Sequence, residues 1–197
     1  SKGRGETSLA LLASLAEKDL RDTPAAVLED HLYNTPEGAD VAKVLCPRVG
    51  TELLTEYREY MQNNIPQSLA DSVKTDPALF VNWCKSNLNQ LDSISLSYVQ
   101  LDPVRVWETR LSDKESREIF FVAVCRSFGV PAWKDSVTGA LKYEKEGLVY
   151  DVDFAAQKQV VAPSGHLRLN YKEIPMLDDP KYLVHFSISK FEDGTFR

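Results

Sequence analysis

The chain has 197 residues, and 23 Lys and Arg against 29 Asp and Glu leave a formal charge of −6. Hydrophobic residues at 43% and charged residues at 26% are ordinary for a packed domain and exclude wholesale disorder. The acidic balance argues against a nucleic-acid partner, which calls for a basic patch, and no run of about 18 apolar residues is present to span a bilayer. The length suits one domain, or one domain with a fragment of a second.

The first hundred residues read as helices punctuated by prolines. Leu9, Leu12 and Ala16, with Leu11 and Leu15, form an apolar stripe at three-to-four spacing. Thr23-Pro24 and Asp76-Pro77 each have the form of an N-cap followed by proline at the first helical position. Thr51 to Met61 is predicted to be helical, with Leu54, Tyr57 and Met61 on one face. The helix opened by Pro77 carries Phe80, Val81, Cys84 and Leu88 on its apolar side. Acids and lysines between these positions read as a solvated face.

After about residue 112 the pattern changes. Ser112 to Glu115 has the S-x-x-E spacing of a capping box. The run Ile119 to Cys125 that follows is apolar nearly all round, as in a helix buried at the centre of a domain. It ends at Gly129-Val130-Pro131, where Gly suits a left-handed cap and Pro forbids continuation. Short β-like runs follow at 140–143, 148–154, 166–171 and 182–191, with turns at 135–139 and 144–147. Glu192 to Gly194 reads as a further hairpin turn. This order predicts an α+β fold, with an N-terminal helical region and one buried central helix packed on an antiparallel β-sheet. The expected parts are residues 1–111, 112–161 and a β-rich 162–197, the last of which reads as the start of a sandwich-like domain.

Three cysteines at unrelated spacings (Cys46, Cys84, Cys125) predict neither a disulfide framework nor a zinc site, so no metal and no cofactor is expected. The chain begins Ser-Lys-Gly rather than with Met, as a processed product would.

The segment Ser116 to Ala132, SREIFFVAVCRSFGVPA, resembles the central helix of the transglutaminase-like superfamily, and Val149 to Phe154 is similar to that family's W-x-x-V-D strand. The N-terminal stretch from Glu17 through Leu32 is also similar to one in multidomain secreted or surface proteins of Bacteroides-type bacteria. The resemblance implies a papain-like core, a periplasmic, cell-surface or secreted location, and other domains of the same larger chain as partners. The family's chemistry uses a Cys thiolate at the helix N-terminus, a His on the next strand as base, and an Asp that orients it. Aligning Glu115-Ser116-Arg117 on the family's E-S-R sets Lys114 at the nucleophile position. The His position falls within Leu141 to Tyr143, with Tyr143 as the matched residue, and Asp153 matches the Asp. Tyr150 stands at the family's Trp, and Trp133 where Arg is usual. With Cys and His gone, no catalytic residue is expected, and the implied function is a non-catalytic domain that binds a peptide or glycan or serves assembly.

The alternative is a cysteine hydrolase or peptidase, or an amide-cleaving relative, using Cys125 or Cys84 with His166. A Cys125–His166–Asp179 set would have the family's chain order. Against it, an apolar-flanked Cys is normally a small hydrophobe. His185 alternates with apolar neighbours and reads as solvent-facing. His31, between acids, reads as a surface residue or a local hydrogen-bond partner. Asp151 and Asp153 share one strand face at i, i+2 and read as structural. Tyr98, Trp107, Trp133, Tyr143 and Tyr150 are either a ligand groove or core filler, and the second reading is favoured.

Overall fold

A computed structural model describes residues 2–91, 100–154, 180, 185, 191–192 and 195–196. The chain mixes helix and sheet, the α+β character expected, and divides into two units, Ser1–Gln157 and Lys158–Arg197. Within the second unit two short strands, β6 (Phe191–Glu192) and β7 (Thr195–Phe196), pair antiparallel with two residues between them, as the hairpin signal implied. The expected strand at 166–171 lies outside the described residues, as do His166, Asp179 and Tyr98; of the strand expected at 182–191 only His185, in a turn, and Phe191, in β6, are described.

The first unit begins with α1 (Lys2–Ala13), α2 (Glu17–Asp22) and α3 (Ala25–Tyr33), followed by a π-helical turn (Val41–Leu45). Of the predicted leucine stripe, only the i, i+4 pair Leu11 and Leu15 is buried, while Leu9 stays 69% exposed. Thr23 does not cap α3: Pro24 occupies the N-cap and Ala25 is the first helical residue.

The helix predicted over 51–61 starts only at Arg58, giving α4 (Arg58–Asn64). The cause is tertiary. Asp30, on α3, accepts hydrogen bonds from the backbone N–H groups of Tyr57, Arg58 and Glu59 at 2.8–3.0 Å, capping α4 from another helix. The preceding segment is bent by Glu52, whose carboxylate accepts from the N–H groups of Val49 and Gly50. Leu54, Tyr57 and Met61 are buried as expected, although only Met61 is helical. Asp30→Ala strands those N–H groups and is expected to cost about 2 kcal/mol, read as a lower urea midpoint with an unchanged m-value.

Next come α5 (Gln67–Thr75) and α6 (Pro77–Asn87). Asp76 caps α6 through the Ala78 N–H, Pro77 sits in its first turn, and Phe80, Val81, Cys84 and Leu88 are buried, all as the sequence implies. A short parallel pair, β1 (Asn89–Gln90) with β2 (Leu111–Ser112), flanks α7 (Pro103–Thr109).

Helix α8 (Lys114–Ser127) is the centre of the unit, packing against α4, α6 and α7. Its N-cap is Asp113, not Ser112: the Asp113 carboxylate accepts from the Ser116 N–H at 2.9 Å and from the Ser116 hydroxyl at 2.9 Å. Ser112 is already committed to strand pairing one residue earlier. The C-terminus closes as a Schellman motif, with Val130 N–H on the Cys125 carbonyl, Gly129 N–H on that of Arg126, and Gly129 at φ +79°.

The chain then forms an antiparallel sheet in the order β3 (Ala132–Lys134), β4 (Leu141–Lys145), β5 (Leu148–Val152). Asp135 organises the β3–β4 turn by accepting from the N–H groups of Val137 and Thr138. Glu146 and Gly147, both at positive φ, form the two-residue turn between β4 and β5. One apolar cluster runs from Met61, Phe80 and Val106 through Phe120, Phe121 and Cys125 to Leu141, Tyr143 and Phe154. Helical and sheet parts of the first unit therefore share a core. No helix among the described residues is long and apolar enough to cross a membrane.

Candidate functional site

The N-terminus of α8, the start of β4 and the end of β5 meet at a cleft of about 560 Å³, lined among others by Gln90, Lys114, Arg117, Glu118, Leu141 and Asp153. Lys114 is the first residue of α8 and is exposed, because Asp113 before it takes the capping role. Ser116 fixes this corner, accepting from the Leu101 N–H at 2.8 Å while bonding to Asp113. Arg117 lies over the Phe154 ring, 4.5 Å from its centroid, and donates to Gln90 Oε1 at 3.1 Å. Glu118, almost wholly buried, pairs with Lys134 of β3 at 2.8 Å. That hydrogen bond holds the Lys134 ammonium above its ordinary pKa.

Of the positions singled out in the sequence, Lys114, Leu141 and Asp153 thus share one cleft. Tyr143 does not join them. It is buried beneath the sheet, stacked on Tyr150 at 5.3 Å and tilted against Phe121. The alternation of β4 accounts for this, since Leu141 and Tyr143 both face α8 but only Leu141 lies at its N-terminal end. Asp151 and Asp153 do not act as a pair. Asp151 faces Lys142 across β4–β5 at 3.2 Å, an exposed contact worth less than about 1 kcal/mol, and Asp153 is exposed just beyond the strand.

The cysteines have the environment of core residues. Cys84 and Cys125 are fully buried, and burial pushes both thiols up, away from the thiolate a nucleophile requires. Cys46 ends the π-helical turn and is buried too. His185 is exposed in a turn. The aromatic residues are dispersed: Trp107 stacks on Trp83 at 5.5 Å with Arg110 lying 3.7 Å over it, and Trp133 sits under Lys43. Trp83 stacks in turn on Phe80, so this ladder runs into the core rather than into the cleft.

Sequence reasoning missed a buried and heavily hydrogen-bonded polar cluster. His31 is not a surface residue; it is wholly buried, edge-on to Tyr57, and its Nδ1 accepts from Arg58 Nε at 2.7 Å. Arg58 is itself wholly buried, donating to Thr35 Oγ1 and to the carbonyls of Val44, Leu45 and Arg126. Arg126 on α8 donates to the carbonyls of Ala42, Lys43, Cys46, Arg48 and Ala132. Burial pushes the Arg58 guanidinium down to about 10 and lowers that of Arg126, yet Arg58 at least stays charged at neutral pH. The two cations thus replace a regular hydrogen-bond ladder for the irregular segment 41–48. One signal was available: Arg126 directly follows a run apolar all round, which leaves that stretch no solvated face.

A second polar node lies nearby. Arg48 bonds both carboxylate oxygens of Asp19, binding α2 to the same segment. A further cleft of about 420 Å³ lies between α1 and residues 35–41, lined in part by Thr35 and Leu45, which accept from Arg58. Among the described residues no His, Cys, Asp and Glu are grouped so as to hold a metal ion. No protein-family model, no curated protein and no solved structure matches the chain.

Proposed function

We propose that the chain is a transglutaminase-like domain without transglutaminase chemistry, which binds a peptide or glycan within a larger bacterial secreted or surface protein. The observation that carries this reading is the meeting of Lys114, Leu141 and Asp153 at one cleft. They stand at a helix N-terminus, on the next strand but one, and just past the strand paired with it. The resemblance sets its nucleophile at Lys114, its orienting carboxylate at Asp153 and its base within Leu141 to Tyr143, of which Leu141 reaches the cleft and the matched Tyr143 does not. Lysine and leucine cannot do the work of a thiolate and an imidazole, while a cleft is present around them. The hydrolase reading needs Cys84 or Cys125, and burial weighs against both.

Alkylation tests both readings. Iodoacetamide near neutral pH is expected to leave Cys84 and Cys125 unmodified in the native wild type. In Lys114→Cys, a thiol at the first position of α8 is expected to react at once, with a pH midpoint below the ordinary value of about 8.5. Fast labelling of either buried cysteine in native wild type would establish the hydrolase reading instead. A midpoint at or above 8.5 in the variant would remove Lys114 from the nucleophile position.

A further inference from the structure

The buried ring of His31 is held by a bond that only a neutral imidazole can make. Its Nδ1 accepts from Arg58 Nε at 2.7 Å, and a guanidinium has donors only. A proton on Nδ1 would set donor against donor. It would also place a third positive charge beside Arg58 and Arg126, neither of which bonds a carboxylate among the described residues. Arg58 and Tyr57 face the ring from the start of α4, and Arg126 from α8. The nearby acids are spent on backbone: Asp30 on the N–H groups that open α4, Glu52 on those of Val49 and Gly50. On segment 41–48 the ionisable side chains turn to other partners, Lys43 to Glu144, Arg48 to Asp19 and Cys46 to the Ser14 carbonyl. Burial first, then Arg58 and Arg126, hold the ring's pKa low, while the backbone of Thr55 and Leu45 favours the charged form.

The wall of this cluster that can yield is segment 41–48. Its own N–H bonds are those of a single π-helical turn, Val44 and Leu45 on the Asp40 carbonyl and Cys46 on that of Val41. Its carbonyls depend on the two guanidiniums, those of Val44 and Leu45 on Arg58 itself. Room to move lies alongside: Val41 and Leu45, with Thr35, line the cleft of about 420 Å³ against α1, so His31 and Arg58 are one layer of chain away from it.

We propose that segment 41–48 is an acid-released strap: protonation of His31 parts it from Arg58, and the segment lifts while the rest of the first unit stays folded. Release uncovers Val44 and Leu45, each 1% exposed in the closed form. The inference is independent of the ligand-binding reading above. Its sign follows from the bond at Nδ1. Above pH 6.5 the ring is neutral in both closed and open forms, and pH has no effect. Below 6.5 the open form takes up a proton that the closed form refuses, so the open population rises about tenfold per pH unit.

The test is amide hydrogen exchange of the full, ¹⁵N-labelled chain, followed by NMR between pH 7 and 5 and expressed as protection relative to the intrinsic rate. The amides of Val44, Leu45 and Cys46 are expected to lose protection about tenfold per pH unit below 6.5. They are also expected to stay at least about tenfold less protected than those of Phe120 to Cys125, which open only when the whole unit unfolds. Urea below the unfolding transition is expected to lower protection in α8 and leave that of 44–46 unchanged, because a local opening exposes little surface. In His31→Asn, or His31→Gln if the first variant does not fold, protection of 44–46 is expected to be the same at pH 7 and pH 5. Segment amides as protected as those of α8 at every pH would mean that the strap opens only with the whole unit, which overturns the proposal. So does wild-type protection that holds level down to pH 5, or a decline that persists in the histidine variant.

Discussion

Replacing Arg126 by methionine is expected to destabilise the first unit by about 3–5 kcal/mol. The side chain is almost entirely out of water, and its guanidinium serves the carbonyls of Ala42, Lys43, Cys46, Arg48 and Ala132. Methionine fills much of the volume and removes the buried charge, so burial of the cation itself is no longer a cost. The carbonyls, however, lose these donors, and each unsatisfied buried acceptor costs about 1–3 kcal/mol before the segment relaxes. For a unit of this size that corresponds to a fall in Tm of roughly 10 °C or more, read by calorimetry or far-UV circular dichroism. Arg126→Lys is expected to recover less than half, since three donors on a point charge cannot span a fan of carbonyls that a planar fork reaches. A methionine variant within 1 kcal/mol of wild type would mean that segment 41–48 is held by its apolar side chains instead.

The second large effect is on acid stability. His31 is buried beside two guanidiniums, and desolvation first, then Arg58 and Arg126, hold its pKa well below the ordinary 6.5. It also spends Nδ1 as an acceptor from Arg58, a bond available only to the neutral ring. Above pH 6.5 the imidazole is neutral in both folded and unfolded states, so pH has no leverage through it. Below 6.5 the unfolded chain takes up a proton that the fold refuses. Stability then falls as pH falls, by up to about 1.4 kcal/mol per pH unit, until the folded ring also protonates. The diagnostic window is pH 5–6.5, above the ordinary range of carboxylates. His31→Asn keeps an acceptor near Nδ1 and cannot titrate. It is expected to start less stable than wild type and to show a slope in that window smaller by about one proton, measured by urea denaturation across pH. An unchanged slope would place the acid sensitivity elsewhere.

Much of the architecture was legible locally. Asp76-Pro77 encodes its own cap, because an aspartate and a proline one residue apart satisfy and shape a first turn without outside help. The apolar run of α8, its end at Gly129-Val130-Pro131 and the Glu146-Gly147 turn are equally local, resting on period, positive φ and a missing N–H. Lys114 and Asp153 could be named as candidates from the residues around them, but nothing in their spacing showed that a single cleft holds both, with Leu141 rather than Tyr143 beside them. That depended on which face of β4 meets the end of α8.

The tertiary structure alone decided the remainder. Where α4 begins is set by Asp30, 28 positions before Arg58, whose carboxylate caps it from another helix. The choice of Leu11 and Leu15 over Leu9 and Leu12 for burial is made by the neighbours of α1, since the stripe is wide enough to serve either face. His31 reads in sequence as a surface residue or a local hydrogen-bond partner, yet it is buried together with Arg58 and Arg126, and a charge is costly to bury. Their burial is sustained only because carbonyls of the irregular segment 41–48 converge on them, and no periodicity records a convergence of that kind. Local sequence determines what a residue can do for its own turn of chain; which distant donors and acceptors it must satisfy is settled only when the core closes.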